Sequence, residues 1–248
     1  MQKYFTFENR KDDFPFYTGQ PINITSSQWL FIIFMVFIGL LSITIQFSLF
    51  TGSYVQFIPA VLFFAIPLLA FIKVVPKYWM KIFKKIRVKD IFLMLGFAFL
   101  NLIVSVTVGI VVTKLFGTNA NPAIAGIVGL TDFEKILFLL KTIPQLFGEE
   151  LFTILIFLAL LSFLSLSLNY SRKKAVVIAW LVSSLAFALI HLPTYDWNLI
   201  QCILVIGTAR IFLTLPYIVT KNIWISTGTH IINDWVIISI VILGAGLK

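Results

Sequence analysis

Residues 135–168 read KILFLLKTIPQLFGEELFTILIFLALLSFLSLSL, an almost unbroken apolar run that contains two adjacent carboxylates, Glu149 and Glu150. A membrane-spanning helix needs about 20 mostly apolar residues, so this run is too long for one untilted span. We expect Pro144 to divide it into a tilted or interfacial part, residues 135–143, and a following span. The run therefore predicts a helix surrounded by lipid and other helices rather than by water.

The composition of the whole chain is that of a membrane protein. Of its 248 residues, 60% are hydrophobic and 12% are charged, against about 25% charged residues in ordinary soluble proteins. Such a chain has too little polar surface to cover a soluble core. This excludes a soluble enzyme, a disordered chain and a disulfide-rich secreted domain, and the lone Cys202 has no partner for an internal disulfide.

Six further apolar segments predict membrane spans. They cover residues 28–50, 54–75, 91–113, 175–192, 199–219 and 223–245. Together with residues 135–168 they predict an all-α, polytopic transmembrane helical bundle of about seven to eight spans. We divide the chain into a polar N-terminal segment (1–27) without the features of a cleavable signal peptide, N-terminal transmembrane helices (28–134) and a second membrane domain (135–248). Residues 114–134 are interpreted as a loop or a broken, partly inserted segment.

The basic residues predict how the bundle is oriented. The net charge is +9, and seven of the 19 Lys and Arg residues fall between Lys73 and Lys89. Because cytoplasmic loops are enriched in Lys and Arg, we expect loop 73–90, residues 172–174 and the N-terminus to lie in the cytoplasm. Contact with anionic lipid explains this charge, so membrane lipids are the expected partners and nucleic acid is not.

A few polar groups occur inside the apolar segments. A charged side chain near the middle of a bilayer costs about 2.5–3.5 kcal/mol, so such residues face the interior of a bundle and mark function. Two adjacent carboxylates also repel one another, which predicts a cationic partner or a protonated carboxyl at this point. The set consists of Lys141, Glu149, Glu150, Arg210, His230 and Asp234, with His191 at the end of a span.

These residue types admit three kinds of chemistry. One is activation of a water molecule by a glutamate and a histidine, with the other histidine and Asp234 stabilising an oxyanion. A second is a metal site with Glu149, His191 and His230 as ligands, although no HExxH spacing occurs and we expect no cofactor. The third is a proton or ion path in a transporter. His230 and Asp234 are four residues apart and therefore share one helix face.

Three motifs in order resemble those of the CAAX protease and bacteriocin-processing family, the Abi-type, Rce1-like glutamate intramembrane endopeptidases. The family's EExxxR motif falls on residues 149–154, its FxxxH motif on Phe187 to His191, and its HxxxB motif, in which B is Asn or Asp, on His230 to Asp234. The resemblance covers about residues 140–240 and would make the second membrane domain CAAX-protease-like.

The resemblance implies a function and a set of roles. Glu149 and His191 would activate the hydrolytic water, while His230 and Asp234 would stabilise the oxyanion, in a helical bundle with a polar, water-filled cavity. The substrate would be a peptide or protein presented at a membrane, as in bacteriocin or pheromone maturation or in self-immunity. The location implied is a bacterial plasma membrane.

One position departs from the family pattern. The motif arginine falls on residue 154, which is Ile here, so the usual partner of Glu150 is missing. We hypothesise that Arg210 pairs with Glu150 instead and supports the site; the alternative is that Arg210 reaches the lipid interface or backbone carbonyls. Ile154 also supports a rival interpretation, a non-catalytic scaffold or immunity protein. A transporter is the less favoured rival, since we see no inverted repeat.

Overall fold

All regular secondary structure is helical in the computed structural model, which describes residues 4–9, 12–45 and 54–245. This confirms the all-α prediction, although the end of the first predicted span, 46–50, lies outside the described residues. A π-helical turn, Cys202–Gly207, joins the helices Leu199–Gln201 and Thr208–Thr220 in one rod. The helices are α1 (Ser26–Thr44), α2 (Phe57–Val74), α3 (Val88–Phe116), α4 (Pro122–Gly126), α5 (Asp132–Leu166), α6 (Arg172–Leu189), α7 (Leu199–Gln201), α8 (Thr208–Thr220) and α9 (Ile223–Ala245).

Six helices of the described part are long and apolar enough to cross a membrane: α1, α2, α3, α5, the joined rod Leu199–Thr220, and α9. The chain is therefore an integral membrane protein. We predicted about seven to eight spans. The predicted span that is not among these six is 175–192, most of which lies in α6. Its 18 residues begin with Arg172, Lys173 and Lys174, so the helix is less apolar than the other six.

Helix α5 is the centre of the bundle. In its most apolar window 67% of the residues are buried, against 17–44% in the other five spans. The hairpin of α1 and α2 packs on one side of α5, and α6 and α9 pack elsewhere along it. Helix α3 lies outside α5 and packs on α8 and α9. This arrangement encloses the middle of α5, where Glu149 and Glu150 lie, on several sides.

The expectation that Pro144 divides the run 135–168 is wrong. Helix α5 continues through Pro144 from Asp132 to Leu166, a length of 35 residues or about 52 Å. A proline inside a helix costs about 3 kcal/mol. The apolar faces that pack on both sides of it outweigh that cost, since a backbone at membrane depth must satisfy its hydrogen bonds within a helix. The start of α5 lies near residue 134, but our division into domains there stays a prediction.

The N-terminal segment is folded over one end of the bundle. Glu8 lies 2.6 Å from the Arg172 guanidinium and 2.7 Å from the Lys221 ammonium, and its side chain is fully buried. Burial favours a higher pKa for the Glu8 carboxyl, but hydrogen bonds from Arg172 and Lys221 outweigh it and lower the pKa below its ordinary value. Asp12 pairs with Lys84 of loop 73–90 at 3.1 Å. We call this end of the bundle, where the N-terminal segment contacts Lys84, Arg172 and Lys221, the basic end.

Two loops are joined at the opposite end. The backbone N–H of Asn119 donates to Gln201 Oε1 at 2.8 Å, and Gln201 Nε2 donates to the Asn119 carbonyl at 2.9 Å. Asn121 Nδ2 donates to the Tyr195 hydroxyl at 3.3 Å. The loop that follows α3 therefore lies against the segment that follows α6, which contains His191.

Candidate active site

A buried ion cluster joins α5, α8 and α9. The Arg210 guanidinium lies 2.6 Å from Glu150 Oε1, and neither side chain is exposed. His230 Nδ1 is hydrogen-bonded to the same carboxylate oxygen at 3.0 Å. The hypothesised pairing of Arg210 with Glu150 is thus confirmed. The π-helical turn lies directly before α8, and such turns are frequent at functional sites because they change which residues of a helix face the interior.

The imidazole of His230 lies between the two adjacent glutamates. Glu149 Oε2 is 3.8 Å from His230 Nε2, while Glu150 contacts Nδ1 on the other side of the ring. Because Glu150 is paired with a guanidinium, it is an ionised carboxylate that can only accept, so Nδ1 of His230 carries a hydrogen. Gln145 Nε2 donates to Glu149 Oε1 at 3.2 Å. The Glu149 side chain is 12% exposed, which makes it the more accessible of the two carboxylates.

Asp234 completes this arrangement on α9. Its Oδ1 lies 3.8 Å from His230 Nε2, as far as Glu149 Oε2 does, and its side chain is 33% exposed. His230 Nε2 is therefore equidistant from two partly accessible carboxylates, while the other ring nitrogen faces a fully enclosed one. The predicted sharing of one helix face by His230 and Asp234 agrees with this geometry.

His191 is joined to the cluster only indirectly. Its Nδ1 lies 2.8 Å from the Phe187 carbonyl oxygen; a carbonyl only accepts, so Nδ1 is the donor and Nε2 of the neutral ring keeps its lone pair. The Phe187 ring lies 4.6 Å from the His191 ring, 6.4 Å from the His230 ring and 4.8 Å from the Arg210 guanidinium, all measured to the ring centroid. Within the described residues His191 makes no hydrogen bond or ion pair with Glu149.

Two asparagines near Asp234 were not identified from the sequence. Asn233 Nδ2 donates to Asp234 Oδ1 at 2.9 Å, and Asn101 Nδ2 of α3 donates to Asn233 Oδ1 at 2.9 Å. Neighbouring residues of an ideal helix point about 100° apart, yet the Asn233 and Asp234 side chains meet through this hydrogen bond. Asn101 carries the only amide side chain of residues 91–113, and that polar residue in an apolar span was the available signal.

Tyr195 lies in the loop after α6, close enough to Asp234 and Glu149 for their negative charges to affect its pKa. Burial raises the pKa of its phenol, the hydrogen bond from Asn121 opposes the rise, and the negative charges of Asp234 and Glu149 add to it. Lys141, by contrast, lies over the Phe138 ring at 4.8 Å, and within the described residues it makes no hydrogen bond or ion pair with the cluster. No group of three or more His, Cys, Asp or Glu side chains within the described ranges could hold a metal ion.

A comparison with protein families assigns this part of the chain. The sequence model of the Rce1-like family, the type II CAAX prenyl endopeptidases, matches residues 132–236. No curated protein and no solved structure gives a significant match. The matched range begins with α5 and ends in α9, so it contains Glu149, Glu150, His191, Arg210, His230 and Asp234. Residues 132–236 therefore match the Rce1-like family of CAAX endopeptidases, as the order of the three motifs predicted.

Proposed function

We propose that the protein is an intramembrane endopeptidase that hydrolyses a peptide bond with water activated by glutamate and histidine. The observation that carries this proposal is the convergence of Glu149, Glu150 and Asp234 on the imidazole of His230, inside a helical membrane protein. The Rce1-like family is a protease family, which supports peptidase activity at the level of the family. Three carboxylates around one imidazole are expensive to hold inside a membrane protein unless they act on a ligand.

The geometry suggests a division of labour. Glu149 is partly exposed and would take a proton from the attacking water, whose oxygen adds to the peptide carbonyl carbon. The neutral His191 ring has a lone pair on Nε2 and would help Glu149 to activate the water. The Phe187 ring lies near the imidazoles of both His191 and His230. The developing oxyanion would be stabilised by a hydrogen on His230 Nε2, so the ring, whose Nδ1 also carries a hydrogen, would act as an imidazolium. The C–N bond then breaks, and the proton held by Glu149 passes to the leaving amine.

The remaining members of the cluster would hold this geometry. Glu150 and Arg210 fix Nδ1 of His230, and Asp234 is suited to orient the imidazole rather than to donate to the oxyanion, because an ionised carboxylate only accepts. Arg210 on α8 thus supplies the positive charge beside Glu150 that the motif arginine would supply from residue 154 of α5, which is Ile here. The absence of the motif arginine is therefore weaker evidence for an inactive protein than the sequence suggested.

The substrate class and location follow from the family and from the basic end. The family name suggests a prenylated CAAX peptide as substrate. Another peptide presented at the membrane, in bacteriocin or peptide maturation or in self-immunity, is the wider proposal that the three motifs imply. We place the protein in a bacterial plasma membrane with its N-terminus in the cytoplasm. The contacts of Glu8 and Asp12 with Arg172, Lys221 and Lys84 support the common side of these segments.

The test uses the full chain purified into lipid nanodiscs and a fluorogenic, prenylated CAAX peptide. We expect Glu149→Gln to lower kcat by about 10²–10⁴-fold, with unchanged melting temperature. Asp132→Asn, a 98% exposed carboxylate on the same helix, is the control and should retain activity. Full cleavage by Glu149→Gln would exclude the proposed mechanism.

A non-catalytic scaffold or immunity protein is the second candidate, and one observation favours it. His191, a residue the family would use on the water, has no direct contact with Glu149 in the described structure. The test compares cells that need this protein for immunity and that make wild type, Glu149→Gln or His191→Ala in normal amounts. If all three survive equally well, the protein acts as a scaffold or immunity protein and not as an enzyme.

A further inference from the structure

A line of hydrogen bonds leads from α3 to the carboxylate of Asp234. Ser105 Oγ is 3.4 Å from Asn101 Oδ1, Asn101 Nδ2 is 2.9 Å from Asn233 Oδ1, and Asn233 Nδ2 is 2.9 Å from Asp234 Oδ1. Asn101 is fully buried and Asn233 is 4% exposed. Asn101 and Ser105 lie outside residues 132–236, the range that matches the protease family.

The chemistry of these groups allows one orientation of both amides. The two ends of an amide group are told apart by their hydrogen-bond partners. A carboxylate at Asp234 only accepts, so Asn233 must present its NH₂ group there and its oxygen toward α3. Asn101 must then present its NH₂ group to that oxygen. Its own oxygen is left facing Ser105, whose hydroxyl can donate.

We propose that Asn101 is a positioning residue of the site, which holds the Asn233 amide in the orientation that keeps Asp234 a hydrogen-bond acceptor facing His230. The importance of Asn101 for catalysis rests on the proposed function. The direction of the hydrogen bonds does not depend on it. Without the donor at residue 101, the Asn233 amide loses the bond that fixes its orientation, so its NH₂ group is no longer held on the carboxylate. Asp234 would then move away from His230 Nε2, which now lies 3.8 Å from it.

The polarity of the line can be reversed by exchanging two residue types. Asn101→Asp replaces the donor by an acceptor, so Asn233 must turn its NH₂ group toward α3 and its oxygen toward Asp234, where two acceptors meet. Asp234→Asn supplies a donor at that end. In the double variant every link has a donor and an acceptor again, with each hydrogen bond running in the opposite direction.

The first test is therefore a double-variant cycle measured as melting temperature in nanodiscs. Asn101→Asp makes two acceptors meet in a buried place, and we expect it to lower the melting temperature by about 3–8 °C. Asp234→Asn keeps an amide oxygen that can still accept from Asn233, so alone it should change the melting temperature little. The double variant should regain most of this loss; if Asn101→Asp alone does not fold, recovery of folded protein in the double variant is the same rescue. Losses that simply add, or a double variant that does not fold when Asp234→Asn does, overturn the proposal. Thr107→Val, an exposed change on α3 whose hydroxyl bonds only to Ile103 of its own helix, should change nothing.

The second test reads the position of Asp234 without using activity. The chain has two histidines, so protein labelled with ¹⁵N-histidine gives signals from His191 and His230 alone. We expect Asn101→Leu to shift the Nε2 resonance of His230 and to leave that of His191 unchanged. An unmoved His230 signal overturns the positioning role, even if the melting temperature falls. Because neither test needs a substrate, they stand apart from the result for Glu149→Gln, which judges the proposed function.

Discussion

The Arg210 guanidinium and the Glu150 carboxylate lie 2.6 Å apart, on different helices, and neither side chain is exposed. The family motif places an arginine at residue 154, one turn after Glu150 on its own helix, where this chain has a fully buried Ile. The charge that a neighbour along α5 would supply comes here from α8. A local substitution is thus compensated by a contact 60 residues away along the chain.

Removing the arginine should therefore destabilise the protein. Arg210→Met leaves the buried Glu150 carboxylate with the His230 imidazole but without its guanidinium partner, and breaking such a buried pair costs about 3–5 kcal/mol. Thermal unfolding in nanodiscs measures the loss. The double variant Glu150→Gln with Arg210→Met should lose less than the single arginine variant, because no lone charge remains.

Returning the arginine to residue 154 should restore part of this loss. Residues 150 and 154 are neighbours on one face of α5, so a side chain at 154 can reach Glu150. We expect Ile154→Arg to raise the melting temperature of Arg210→Met and to lower that of the wild type, where it places a second cation beside the first. If Ile154→Arg destabilises both backgrounds equally, the exchange of roles between the two positions is wrong.

The N-terminal segment should make stability depend on pH through Glu8. The pKa of this carboxyl is lowered in the folded protein because Arg172 and Lys221 bond to the charged form against the effect of burial. Its contribution is therefore fully present above the unfolded pKa, about 4.3, and is lost as the pH falls through the lower folded value. We expect the melting temperature of the wild type to fall between about pH 5 and pH 3, and that of Glu8→Gln to fall less.

At neutral pH Glu8→Gln should cost about 3 kcal/mol, because Lys221 is fully buried beside it. Asp12→Asn is the matched control: its ion pair with Lys84 is 53% exposed on the aspartate side, and such pairs contribute under about 1 kcal/mol. Equal effects of the two substitutions would contradict the structural role of Glu8.

The ring of Phe187 should stabilise Arg210 through its face. The guanidinium lies 4.8 Å from the ring centroid, and such contacts contribute about 0.5–2 kcal/mol when desolvated. Phe187→Leu should show a coupling of this size with Arg210→Met in a double-mutant cycle of unfolding. Lys141 lies at the same distance from Phe138 but is less buried. The corresponding cycle there should give a smaller coupling, and the opposite order would refute the role of burial.

Helix α5 approaches α2 closely at Gly148, next to Glu149. A Cβ atom at Gly148 would lie 2.7 Å from the buried ring of Phe63. We expect Gly148→Ala to cost about 1–3 kcal/mol through overpacking and Phe63→Leu to relieve part of it. Gly96→Ala on α3 is the control: with nothing within 4 Å of its Cβ, it should stabilise the protein by up to about 1 kcal/mol. A loss of the same size at both glycines would argue against close helix contact as the cause.

The sequence by itself determined the class of the protein and its polar candidates. Lipid tolerates few polar groups, so a chain with two histidines and ten acidic residues leaves a short set of them inside apolar segments. Glu149, His230 and Asp234 came from that set and converge in the structure, and the three motifs indicated the family that residues 132–236 match. Their catalytic roles stay a proposal.

The tertiary structure alone decided how these groups are held. Periodicity along a helix specifies which residues share a face, but not which face of another helix lies opposite. The pairing of Asn101 with Asn233 and the bonds of Glu8 to Arg172 and Lys221 depend on that choice. The same holds for the continuity of α5 through Pro144, since packing energy from distant segments outweighs a local penalty that the sequence shows by itself.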